Sequence, residues 1–146
     1  MKSQRDFRNY LAGAALAFGI ILLTSEILRI IYGSANIGEG DELYSLIFDI
    51  YLSAHLIGGF LGGYLVSRVK RSDYIQTGTI TAILAYIFEF VYNLIVLTTR
   101  TDIYAIASLL IGGIIGAMFF RAKIERERIA SAKKPEELKP ISYPQK

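Results

Sequence analysis

The chain is 146 residues long, 53% hydrophobic and 20% charged, with a net charge of +3 and a mean hydropathy of +0.40. That length fits one domain. Positive hydropathy beside so much charge requires apolar and charged residues to be segregated, which excludes intrinsic disorder and argues against an ordinary soluble domain. With no cysteine and one histidine, His55, the chain alone can form no disulfide, thiolate metal site, Cys nucleophile or bis-His haem.

Four apolar stretches follow in order. The first, residues 11–32, comes after Lys2, Arg5 and Arg8 and contains Glu26 and Arg29. A signal peptide cleaved near Gly33-Ser34-Ala35 is the alternative reading of this stretch. It is disfavoured because the apolar run is long and continues through Glu26 and Arg29 to Ile31. A glycine-rich acidic connector, 33–42, leads to the second stretch, 43–67, which holds Asp49, His55, Gly58, Gly59, Gly62 and Gly63. After a basic connector, 68–74, comes the third, 75–97, with Glu89 and Asn93. A tight turn, 98–102, precedes the fourth, 103–120, with Gly112, Gly113 and Gly116. Residues 121–134 predict a helical extension, on which Lys123/Glu127 and Glu125/Arg128 are neighbouring opposite charges. All three prolines fall in 135–146, which reads as a flexible tail.

Stretches of 18 to 25 residues span a hydrocarbon core as helices. The expected architecture is therefore all-α: an integral membrane four-helix bundle in residues 1–134, with short connectors making consecutive helices antiparallel. Lysine and arginine are biased to one side. Lys2, Arg5, Arg8, Arg68, Lys70, Arg71 and eight residues from Arg121 onward lie there, against Arg100 on the other. Both termini are expected in the cytoplasm, at the plasma membrane. Tyr10, Tyr32, Tyr44, Tyr74 and Tyr104 fall near span ends, at headgroup level.

The halves resemble each other. Leu56–Gly63 matches Leu110–Ala117 at an offset of 54, and Ala15, Gly19, Leu22 and Glu26 align with Gly78, Ala82, Ala85 and Glu89 at an offset of 63. The expectation is two parallel-repeat hairpins related by a pseudo-two-fold along the membrane normal. The small-xxx-small pairs Gly58/Gly62, Gly59/Gly63, Gly112/Gly116 and Gly113/Ala117 let helix backbones approach closely. With several such faces, one is expected to remain for assembly with a second copy or another subunit. The GGFLGGYL run, the basic end after it and the four-span size resemble small uncharacterised glycine-rich four-span membrane protein families of archaea and bacteria. That resemblance implies a fold and no function.

Glu26, Arg29, Asp49, His55 and Glu89 are ionisable groups inside apolar spans, where charge is costly and marks pairing or function. Helical rise places them in the outer half or near the midplane. One reading makes Glu26, Asp49 and Glu89 a cation or proton site, with Asn93 and serine oxygens helping. The other is structural: a Glu26–Arg29 pair, plus an acid bonded to His55 or Asn93, locks the bundle or receives a partner's basic residue. Catalytic motifs are missing, and the G-x-G-D string Gly38–Asp41 lies in a loop. The leading expectation is a non-enzymatic accessory or structural subunit, and the alternative is a small cation- or proton-coupled transporter or channel. No cofactor, metal or nucleic-acid partner is expected; the lipid bilayer and other membrane subunits are.

Overall fold

The computed structural model describes residues 2–35, 42–97 and 103–133, except the side chains of 2–6, 32, 34, 35, 97 and 133. The loop carrying Gly38–Asp41, the turn with Arg100, the Tyr32 ring and the tail 135–146 lie outside the described residues.

Four helices make up the fold: α1 (Lys2–Ala35), α2 (Glu42–Lys70), α3 (Tyr74–Tyr92, continued by a π-helical turn Asn93–Leu97) and α4 (Ile103–Lys133). Each is long and apolar enough to cross a membrane. The helices outrun the apolar stretches at their basic ends, because hydropathy marks where lipid would begin and end while a helix continues into water. α1 begins nine residues before residue 11, and α4 runs on to Lys133 as expected. On that extension Arg121 pairs with Glu125, Nε to Oε1 2.9 Å. Neither expected pair, Lys123/Glu127 or Glu125/Arg128, forms among the described residues.

At most 39% of any span's apolar window is buried inside the bundle. The rest presents residues such as Leu23, Ile30, Ile95 and Ile111 outward, a surface suited to lipid and far larger than water tolerates. The core is thin by comparison. Its buried cluster is Ala14, Ala17, Ile21, Ala82, Ala85 and Leu109. In lipid, whose tails are as apolar as leucine, close packing would have to hold such helices together.

Glycine makes that packing possible. The carbonyl oxygens of Leu109 and Gly113 on α4 lie where Gly59 and Gly63 of α2 would carry a Cβ. In return, the carbonyls of Leu56 and Phe60 on α2 occupy the Cβ positions of Gly112 and Gly116. On its other side α2 meets α1, with the Ala17 carbonyl 2.9 Å from the Cβ position of Gly58 and the Gly13 carbonyl 2.8 Å from that of Gly62. Gly113 faces Gly78 of α3 at 2.7 Å. Every one of the seven glycines in the small-xxx-small pairs is thus spent inside the chain. The leftover glycine face expected for assembly is not present among them, because α2 lies between α1 and α4 and uses both of its glycine pairs.

The motif repeat is not mirrored in the packing. A two-fold relating α1–α2 to α3–α4 would make contacts between α1 and α4 the image of those between α3 and α2. α2 and α3 touch, whereas α1 and α4 do not among the described residues. Equivalent glycines also have different neighbours: Gly58 and Gly62 lie on α1, but Gly112 and Gly116 lie on α2.

Gly116→Ala and Gly63→Ala are expected to destabilise the bundle by about 1–3 kcal/mol each, since a backbone carbonyl cannot rotate away. Gly19→Ala, which meets nothing within 4 Å, should leave stability unchanged. Thermal unfolding of the purified protein in detergent distinguishes these outcomes.

Candidate functional site

α3 carries one buried face of small residues: Thr77, Gly78, Thr81, Ala82, Ala85 and then Glu89, at helical spacing. The threonine hydroxyls are satisfied locally, Thr77 donating to the Ser72 carbonyl at 3.2 Å and Thr81 to the Thr77 carbonyl at 2.8 Å. Small side chains bring α3 close to α2, so the long Glu89 side chain reaches His55. His55 stands one turn before Gly58 and Gly59 and is fully buried; Glu89 is 4% exposed.

The His55 ring is held on both sides. Its Nε2 lies 3.0 and 3.1 Å from the two carboxyl oxygens of Glu89, and its Nδ1 lies 2.8 Å from the Tyr51 carbonyl. The Tyr51 hydroxyl donates to Glu89 Oε1 at 3.0 Å, and its ring meets the imidazole edge-on at 4.3 Å. These contacts constrain the protons. A backbone carbonyl only accepts, so Nδ1 carries a hydrogen. One further proton then lies between Nε2 and Glu89, as imidazolium with carboxylate or as imidazole with carboxylic acid. Either way the pair is neutral as a unit, which is what makes its burial tolerable.

A second carboxylate lies farther toward the acidic end. Glu26 of α1 accepts from Arg29 Nε at 3.0 Å and Nη2 at 2.8 Å, and its other oxygen accepts from the Tyr92 hydroxyl at 2.9 Å. Tyr92 follows Glu89 by three residues and packs edge-on against Phe18 at 5.9 Å. α3 therefore serves both acids: it contributes Glu89 to α2 and a tyrosine to the glutamate of α1. Asn93 is buried at the start of the π-helical turn, its N–H shared between the carbonyls of Glu89 and Phe90. Such a turn often marks a functional position in a helix.

The structure thus brings His55 to Glu89 and Glu26 to Arg29, but does not gather Glu26, Asp49 and Glu89. Asp49 is exposed on the outward face of α2, together with Ser45 and Ser53. Among the described residues no three His, Asp or Glu side chains form a group that could hold a metal ion. Sequence reasoning missed Tyr51 and Tyr92, which supply the remaining hydrogen bonds. The signal for both was there, since Tyr51 is i−4 from His55 and Tyr92 is i+3 from Glu89.

No protein-family model, curated protein or solved structure matches this chain.

Removing one partner of the buried pair leaves a polar or charged group without compensation. Glu89→Ala or His55→Ala should each cost about 3–5 kcal/mol. The double variant His55→Leu/Glu89→Leu should unfold closer to wild type than either single one, and Asp49→Asn should unfold with it. Thermal melts of all five proteins in one detergent test these outcomes.

Proposed function

We propose that this protein is a non-enzymatic structural or accessory component of the plasma membrane, crossing it four times with both termini in the cytoplasm. The asymmetry of lysine and arginine supports that orientation. The matched motifs Leu56–Gly63 and Leu110–Ala117 support an origin by hairpin duplication, with the two copies since divergent in packing. Its partner is a second copy or another membrane subunit.

One observation carries this reading. Asp49 lies about 10 Å along α2 from its first residue and points away from its own bundle, flanked at four-residue spacing by Ser45 and Ser53. A carboxylate on an outward apolar surface is costly in lipid and calls for a polar or basic group opposite it. Assembly therefore uses the Ser45/Asp49/Ser53 face, while the glycine faces hold the subunit together. The chain contains no cysteine, so Ser53→Cys provides a unique cross-linking handle. Oxidation in native membranes should give a covalent dimer for self-assembly, or a mixed product with another subunit. Asp49→Leu should abolish that product while leaving the thermal melt unchanged. A cross-link-free Ser53→Cys protein that behaves as a monomer in native membranes removes the proposal.

The buried contact of His55 Nε2 with the Glu89 carboxyl group favours a second reading, a small proton- or cation-coupled transporter. Tyr51 and Glu89 on one side, and Tyr92 and Glu26 on the other, would line the path toward the acidic end. In liposomes containing the purified protein, this reading requires a pH-gradient-driven flux that Glu89→Gln eliminates. Equal proton leak in empty and protein-containing liposomes rejects it.

A further inference from the structure

At the basic end the helices enclose a cleft of about 850 Å³, unrelated to the His55–Glu89 pair. This volume lies within the range of small-ligand sites. Arg68 and Arg71, from the end of α2 and its connector, form one wall; Arg121, Lys123 and Arg128, from the α4 extension, line the other. Two carboxylates, Glu125 and Glu127, share the lining, and Glu125 is taken up by Arg121. Among the described residues no ion pair engages Arg68, Arg71, Lys123 or Arg128. The floor is aromatic, Phe120 lying between Tyr64 at 5.4 Å and Tyr74 at 6.5 Å.

Backbone geometry adds an independent sign. α2 ends with Arg71 in the left-handed conformation, φ 53°, its N–H bonded to the Ser67 carbonyl at 3.0 Å. Glycine or asparagine is the usual residue where a helix closes this way, because a Cβ is strained there. Asp73, two residues on, is also left-handed at φ 45° and gives α3 no side-chain cap. A three-residue connector with two strained non-glycine residues keeps an arginine in the wall of the cleft at a local cost. Strain of this kind clusters at ligand clamps.

We infer that this cleft binds a phosphate-bearing anion of at least two negative charges, clamped between Arg68/Arg71 and Lys123/Arg128 over the Tyr64–Phe120–Tyr74 floor. The same phosphate chemistry is available from two sources, the headgroup of an anionic lipid in the adjoining leaflet and a free polyphosphate in solution. Basic pockets at the cytoplasmic ends of membrane helices take lipid phosphates in this way.

The test uses full-length protein in nanodiscs. In phosphatidylcholine alone, titration with inorganic pyrophosphate probes the soluble source. In phosphatidylcholine mixed with cardiolipin, whose headgroup carries two phosphates, native mass spectrometry of the extracted protein counts retained anionic lipid. Binding in the first arm assigns a free phosphate, and selective retention in the second assigns a headgroup. Arg71→Gly and Arg128→Gln should each weaken whichever binding occurs by about fivefold. Arg71→Gly is the decisive variant, since glycine relieves the left-handed strain and the protein should melt no earlier than wild type. Arg8→Gln and Arg126→Gln remove equal charge from exposed positions outside the cleft and should leave binding within about twofold. Equal losses in the control variants would reduce the effect to diffuse charge attraction and overturn the site. So would the absence of both pyrophosphate binding and anionic-lipid enrichment in the wild-type protein, a result that needs no variant.

Discussion

The contact of α2 with α4, backbone against backbone, is the constraint on which the rest of the structure depends. Four carbonyl oxygens, those of Leu56, Phe60, Leu109 and Gly113, fill positions that side chains would otherwise occupy. In lipid no hydrophobic force would draw these helices together, so the attraction must come from dispersion and Cα–H···O contacts available only at this separation. Once α2 and α4 are fixed, α1 has its own glycine pair on α2 to fit. α3 is seated through Gly78 on Gly113. The polar residues then meet as a result of that geometry rather than as its cause.

The same constraint explains how a histidine and a glutamate can lie inside so thin a bundle. Close helices leave little room around His55, and what room there is holds donors and acceptors in matched number. The imidazole has a carbonyl on one nitrogen and a carboxyl group on the other, and the carboxyl group also takes a tyrosine hydroxyl. Such a network favours a single packing arrangement, since any slip of α3 along α2 would leave His55 Nε2 and the Glu89 carboxyl group unpaired. Glu26 and Arg29, which are partly exposed, impose no comparable penalty.

Much of the architecture was legible in the sequence. The four apolar stretches, the extension of α4 beyond residue 120 and the close-packing role of the glycines all follow from period and composition. The partners of each glycine did not. Gly58 and Gly112 look identical in the string, but neighbours in three dimensions depend on which way each helix is turned, and that is decided jointly by all four. Which way Asp49 faces was hidden for a related reason. Depth along a helix can be counted from residue numbers, whereas direction around it requires knowing the neighbours, and at Asp49 α2 faces outward. The basic cleft was hidden because its two walls are separated by about fifty residues of sequence. Only their charge excess showed.

α4 carries no glycine or proline after Gly116 as far as Lys133, so its outer portion has no built-in joint. Arg121–Lys133 extends about 20 Å beyond the apolar span at helical rise. It acts as a lever whose fulcrum is the α2–α4 seam. A change of about five degrees in the crossing of those two helices would move the tip of the lever by about 2 Å. Whatever sets the spacing of α2 and α4 would thereby register at the cleft.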